Sequence, residues 1–336
     1  MKTNKIKTSL ISGRWIVVAA LIVAMSGCKK SNNINEELNI DSLGLARGYD
    51  AVYPFNEGMA GVKKDSYYFF IDEEGKEYWK ERQYDGVGPF TEGMALVAKD
   101  GIQFFIDKEG KEYWKERQYD DVRSFYEGMA GVEKDGYFFI DKKGKEYWKE
   151  RQYDDVGEFS EGMAGVKKDS IWFFIDKEGK EYWKERQYYS VYGFNEGMAP
   201  VYKYSISFFI DKDGKEYWKE RKYDESWVFT EGMAGVKKDG YWFFIDKEGN
   251  EIGKDRKYDR VGPFTEGMAV VVKDGYWFFI DKDGKEYWKE RQYDAVYPFK
   301  EGMALVCKGD DRFFIDKKGK EYREERKYED VYPEKV

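Results

Sequence analysis

Residues 84–118 read YDGVGPFTEGMALVAKDGIQFFIDKEGKEYWKERQ, and this block returns along the whole chain. Tyr49, Tyr84, Tyr119, Tyr153, Tyr188, Tyr223, Tyr258 and Tyr293 open eight copies, and Tyr328 opens a ninth that stops after Pro333. The step is 35 residues throughout, except from Tyr119 to Tyr153, where it is 34. A period of this size marks a repeat architecture, in which one supersecondary unit is stacked or closed into a ring.

Each copy reads as β-structure. Pro54, Pro89, Pro263 and Pro298 stand just before a phenylalanine, where a missing N–H and a fixed φ suit a turn or an edge segment. In the run Met94–Lys99, Ala95 and Val97 share one face of a strand, and Leu96 and Ala98 the other. The Ala/Val face is the same in every copy and reads as core. The other face changes through Gly61, Leu96, Gly131, Gly165, Pro200, Gly235, Val270 and Leu305, and reads as the less constrained one. Asp100-Gly101 signals a turn. The Phe-Phe-Ile that follows occurs in all eight copies and predicts a strand covered on both sides. Asp107 to Gly110 predicts a tight hairpin loop. Lys111–Gln118 is expected to return as a third strand carrying Tyr113 and Trp114, with a short fourth strand at Tyr-Asp-x-Val.

The expected fold class is therefore all-β: tandem β-meander repeats of ~35 residues stacked as an open superhelical β-solenoid. The alternative is a closed eight-bladed β-propeller, disfavoured because well-known propeller blades take around 40–45 residues. An aromatic content of 19%, with 29 tyrosines, agrees with strands.

Composition also excludes chemistry. The chain has no histidine, which removes His-based triads and imidazole zinc sites. Its two cysteines, Cys28 and Cys307, give no internal disulfide framework. Cys307 stands where other copies have Lys63, Ala98, Glu133 or Tyr202, a variable position that reads as exposed. A net charge of −8 repels phosphate, so nucleic acid is not an expected partner. Asp211–Gly214 and Asp281–Gly284 contain a fragment of a calcium-loop pattern, but the remaining oxygen ligands are missing and a hairpin turn is the better reading. No nucleophile–base pair stands out from the repeat background, so no enzymatic activity and no cofactor are expected.

Residues 1–27 read as a signal segment: Lys2, Lys5, Lys7 and Arg14 precede the apolar run Trp15–Met25. That run is shorter than the roughly 20 residues a permanent span needs. It ends in Met25-Ser26-Gly27-Cys28, which resembles a bacterial lipobox, so Cys28 is the expected lipidation site. Residues 28–48 then form a tether, and 49–336 the repeat domain. Lys29 rather than Asp after the cysteine points to the outer membrane, by resemblance to that class of lipoprotein.

Phe229, Glu231, Gly232, Ala234, Val236, Trp242, Phe244, Ile245, Asp246 and Gly249 carry a pattern that resembles the WG repeat family, and the likeness recurs over residues 49–327. The resemblance implies a repetitive β protein, often secreted or surface-attached, without a shared catalytic motif. One departure is that Phe follows Trp where the family has Gly, as in Trp172-Phe173, Trp242-Phe243 and Trp277-Phe278.

The expected function is a membrane-anchored, monomeric binding scaffold for a protein or glycan at the bacterial cell envelope. Two groups of residues are candidates for contact. Tyr189, Tyr192, Tyr202, Tyr204 and Trp227 break the repeat pattern around copies five and six and suit an aromatic interface. Trp114 and Trp148 belong to a row, with Trp79, Trp183, Trp218 and Trp288, that suits either sugar stacking or packing between copies. Glu57 and Arg82 recur in every copy and predict a ladder of charge pairs between repeats.

Overall fold

The computed structural model describes residues 48–309 and 311–322. The signal segment, Cys28, the tether and the partial ninth copy lie outside them.

In the first copy β1 is Ala51–Val52, β2 is Met59–Lys64, β3 is Tyr67–Asp72 and β4 is Glu77–Tyr78. They pair in chain order as one antiparallel meander, and all eight copies repeat that four-stranded sheet. The turns follow from the sequence. Glu57 and Gly58 both have positive φ (54° and 79°), and Asn56 and Met59 exchange backbone hydrogen bonds of 2.9 and 3.2 Å across them. Two left-handed residues in a row make the type I′ geometry that matches the twist of a hairpin. Asp100-Gly101 does the same between the second and third strands (φ 53° and 76°). At the next turn one carboxylate organises the loop. Asp107 Oδ1 accepts the amides of Glu109 and Lys111 at 3.1 and 2.8 Å, and Oδ2 accepts the Tyr113 hydroxyl at 2.8 Å. Asp211 is used in the same way by Asp213, Lys215 and Tyr217, so the calcium-like fragments are hairpin turns. The 34-residue step is a deletion in the second hairpin of copy three, where both strands are one residue shorter and Lys134–Gly136 replaces the two-residue turn.

The returning strand is shorter than the sequence suggested. Only Glu112–Tyr113 pairs; Trp114 turns left-handed (φ 58°), and Lys115–Arg117 forms one turn of 3-10 helix. The short strand at Tyr-Asp-x-Val does form, so each unit has four strands. Each of the first seven sheets is then clasped to the next copy: Tyr68 and Tyr84 exchange backbone hydrogen bonds of 2.8 and 3.2 Å.

The sheets pack face against face. One seam contains Met59 and Phe70 from copy one with Ala95, Val97, Phe104 and Ile106 from copy two. Seven such clusters join consecutive copies. The buried residues of the first sheet's opposite face and of the eighth sheet's outer face form separate clusters, so no core among the described residues joins copies one and eight.

The face read as less constrained lies inside these seams. Gly61 is buried, and a Cβ there would come within 2.6 Å of Val87 Cγ2; Gly131 and Gly165 meet Val156 and Val191 at the same distance. Cys307, on the corresponding face of the eighth sheet, is also fully buried, in a cluster with Ala295, Tyr297 and Leu305. In five copies variation on this face follows complementary volume. Tyr53, Arg123 and Trp227 lie over Gly61, Gly131 and Gly235, whereas Leu96 and Val270 are faced by Gly88 and Gly262. In copies two and seven that glycine precedes proline, and the first strand lengthens to Gly86–Thr91 and Arg260–Thr265 with a register shift before the phenylalanine.

Candidate functional site

The residues that repeat without change build the seams. Glu57 accepts the amides of Glu92 and Gly93 in the next copy at 2.6 and 2.9 Å, and Lys108 of that copy lies 3.5 Å from its carboxylate. The staple recurs at every seam, down to Glu266, which meets the Gly302 amide at 3.0 Å and Lys317 at 3.0 Å. Burial works to raise the Glu231 and Glu266 carboxyls. The Gly267 amide and Lys282 outweigh it at the first, and Lys317 and the Gly302 amide at the second, so both sit below the ordinary range. Seven copies supply that lysine; the first carries Glu73 instead. A ring closed on the same staple would set Glu73 against Glu301.

Arg82 reaches the next copy differently. Its Nη1 donates to the Gly110 carbonyl at 2.6 Å and lies 3.4 Å from Glu112. Glu57 and Arg82 both bridge copies, yet they are not each other's partners. Between them sits the tryptophan row. Trp114 is buried, edge-on to Phe105 at 5.7 Å and tilted on Phe125 of the next copy at 6.1 Å. Its Nε1 fills the space above Gly144, where a Cβ would lie at 2.3 Å. Trp148 is half-buried and repeats this on Phe139, Phe159 and Gly179. Trp114 and Trp148 therefore take part in packing between copies.

The copy-five candidates are distributed differently. In copies two, four, six, seven and eight, the aspartate after the opening tyrosine accepts an amide of the second hairpin turn. Asp85 takes that of Asp100 at 2.7 Å and Asp259 that of Asp274 at 2.8 Å. Copy five has Tyr189 in place of that aspartate and Tyr204 in place of the turn aspartate. Tyr204 keeps the left-handed φ of 52°, which Asp tolerates better than an aromatic residue. Both rings project to solvent, 57% and 66% exposed, the most of any large apolar or aromatic side chain among the described residues. The Tyr189 amide donates to the Tyr202 carbonyl at 2.9 Å, which brings both to one end of the fifth sheet. Tyr202 and Tyr192 are half-buried, and burial pushes the Tyr192 hydroxyl up. Behind this patch the seam to copy six is also individual: Ser207 and Ser226 hydrogen-bond to each other where other copies have larger residues.

Trp227 belongs elsewhere. It stacks at 4.7 Å on Trp242 of its own copy and helps line a recess at the edge of the seventh sheet with Arg260, Gly262, Val270, Val272 and Trp277. Sequence reading singled out Trp227 but missed Arg260, Gly262 and Trp277. The available signal was that copy seven combines a bare Gly with a Trp and a basic residue at positions that vary between copies. Among the described residues no group of His, Cys, Asp or Glu is arranged to hold a metal, and no helix is long and apolar enough to cross a membrane.

The pattern of the WG containing repeat matches eight consecutive segments: residues 46–68, 68–101, 104–138, 137–170, 172–204, 208–242, 242–277 and 277–310. The chain belongs to the WG repeat family. The repeats are tandem four-stranded sheets here, and the Trp-Gly of the family name is replaced by Trp-Phe or other pairs without loss of the sheet. No curated protein is significantly similar to this WG-repeat chain. Among solved structures, AztD from Citrobacter koseri is 10% identical with a TM-score of 0.43, over 82% of this chain and 92% of that one. A eukaryotic initiation factor is 9% identical with a TM-score of 0.49, over 82% and 88%. PorZ, a surface component of the type-IX secretion system of Porphyromonas gingivalis, is 9% identical with a TM-score of 0.37. The alignment covers 82% of the WG-repeat chain and about half, 52%, of PorZ. None of these bears on what the chain binds.

Proposed function

We propose that this protein is a non-enzymatic scaffold that binds a protein partner through its fifth copy while a lipid on Cys28 tethers it in the bacterial cell envelope. The observation that carries the binding reading is the exchange at Tyr189 and Tyr204. The aspartate that caps the hairpin elsewhere and the turn aspartate whose amide it accepts are both given up for exposed rings, one of them in a left-handed conformation. Loss of a local cap in favour of exposed aromatic surface is expected of an interface, where Tyr supplies much contact area for little conformational entropy. The seam residues leave this patch free to vary, because none of the staples passes through it.

The test uses the full chain in its native cell. A photo-crosslinking residue at position 189 gives an adduct with one discrete protein, the same residue at the equivalent position 85 does not, and Tyr204→Asp removes the adduct. Equal adducts from both positions would sink the proposal. The tether rests on the basic segment, the apolar run and Cys28. Labelled palmitate incorporates into the wild type and not into Cys28→Ser; equal labelling, or none in either, refutes the anchor.

Binding of carbohydrate is the second reading. The row of Trp114 and Trp148 is engaged between copies, and the observation that favours a sugar is the recess beside Trp277.

A further inference from the structure

We infer that the recess at the edge of the seventh sheet binds a pyranose carrying a carboxylate, that is, a uronic-acid residue of an acidic glycan. This deepens the reading of the protein as a binding scaffold and rests on it.

The recess lies beside Gly262, a glycine that copies two and four share as Gly88 and Gly157. Copies one, three, five, six and eight place Tyr53, Arg123, Tyr192, Trp227 and Tyr297 where copy seven has Gly262. Side chains there lie over the second strand, as Tyr53 does over Gly61 and Trp227 over Gly235. At Gly262 no side chain lies over the second strand; Val270 and Val272 are still buried, and the recess opens at Trp227, Trp277 and Arg260. Trp227 of the sixth copy and Trp277 of the seventh are also in the lining, both half-buried rather than closed off. The accessible parts of two indoles suit the apolar C–H faces of a sugar ring, which stacks on aromatic surface while its hydroxyls stay in water.

The sixth copy shows the same redistribution. It carries Gly253 where most copies have the seam tryptophan, and its tryptophans stand instead at 227 and 242.

Charge selects the ligand further. Arg82, Arg117, Arg123, Arg151, Arg186, Arg221, Arg256 and Arg291 each lie within 4.0 Å of a carboxylate. Arg260 is exposed and meets no carboxylate among the described residues. In a chain of net charge −8, an unpaired guanidinium beside two tryptophans is a local exception. Its planar fork matches a carboxylate in a bidentate pair. A neutral sugar would leave that fork unused, and a free phosphate would leave the indoles unused.

Copy two supplies an internal control. It shares the Gly-Pro turn, with Gly88 facing Leu96, but has Gly86, Ala98 and Gln103 where copy seven has Arg260, Val272 and Trp277. It therefore has the bare glycine without the cation or the indole.

The experiment titrates the full chain in detergent with trigalacturonate, and in parallel with its methyl ester, by calorimetry and tryptophan fluorescence. The acid binds with quenching, and the ester binds about tenfold or more weaker, as does the acid to Arg260→Ala, the size expected for a charge-assisted hydrogen-bond pair. Gly262→Tyr, which imitates copy eight and leaves both tryptophans in place, abolishes binding. Circular dichroism and thermal melting of each variant establish that it is folded. Equal affinity for acid and ester overturns the charge argument, and unchanged affinity in Gly262→Tyr overturns the site. No binding of either probe by the wild type also overturns the proposal. If the adduct at position 189 is retained in that case, the scaffold reading survives alone; if that adduct is absent as well, both fail.

Discussion

The seam between copies and the exposed ends of the sheets obey opposite rules. At the seam, Glu57, Arg82, Trp114, Phe105 and their counterparts recur because each must fit both its own sheet and the next. A change in one of these is felt on two sides and the repeat keeps them alike, while the varying seam positions such as Gly61 and Val270 stay buried. At the ends, Tyr189 and Tyr204 in copy five and Arg260 and Gly262 in copy seven face no neighbouring staple. They are free to depart from the pattern, and there the departures gather aromatic rings and a cation. In a repeat protein of this kind, uniformity marks the scaffold and local departure marks the candidate site.

The comparison breaks most severely at a buried ring. Phe174 is fully buried against Trp183 at 5.6 Å and Phe194 at 5.1 Å, so Phe174→Ala is expected to cost about 3–5 kcal/mol, read by urea denaturation. A loss below that range would mean the seam relaxes into the hole.

Two glycines separate backbone strain from seam contact. Gly179 and Gly232 have φ of 81° and 82°, but a Cβ at Gly179 would stand 2.2 Å from Trp148 Nε1, while nothing lies within 4 Å of one at Gly232. Gly232→Ala is expected to cost about 1–2 kcal/mol for the left-handed conformation alone. Gly179→Ala should cost clearly more in the same thermal melt. Equal values would show that the tryptophan moves aside freely.

Acid tests the staples. The folded Glu231 and Glu266 carboxyls titrate below their usual 4.5, so the folded chain binds those protons more weakly than the unfolded chain. Their contribution is complete above about 4.5 and is lost as the pH falls through the lower folded values. Glu231→Gln therefore flattens the acid limb of stability against pH while lowering stability at neutrality; an unchanged limb would show that the staple contributes nothing.

The smallest effect is the most informative about the ends. Restoring the cap with Tyr189→Asp and Tyr204→Asp, as in copy two, should raise stability by up to about 1 kcal/mol. The crosslinked partner should be lost in the same variant. A destabilised double variant would mean that the two rings serve the fold rather than a partner.

Much of the scaffold was legible in the residues. Asp-Gly and Asp-x-x-Gly announced their turns because short-range geometry decides them. Phe-Phe-Ile announced a strand buried on both faces. The returning strand was overextended in the reading because Tyr113 and Trp114 look like strand residues by type. What stops the strand is the left-handed turn at Trp114, which lets the indole reach the next copy. Cys307 and Gly61 were read as less constrained because they vary, whereas both are buried, Gly61 against Val87 and Tyr53 and Cys307 beside Ala295, Tyr297 and Leu305. The Tyr189 and Tyr204 departures were visible, since both stand at positions occupied by aspartate elsewhere. The recess was not, because Trp227 and Trp277 stand 50 residues apart and meet the same space only when two sheets pack.

The sequence alone determined the unit: eight copies, their strands and turns, and the absence of histidine chemistry, all of which follow from composition and from contacts within about ten residues. Tertiary structure decided which face of each sheet meets which neighbour, and hence which tryptophans are packing and which line a surface. A period records that a unit recurs but not how one sheet is laid on the next; that choice is made by side chains a full copy apart filling one another's space.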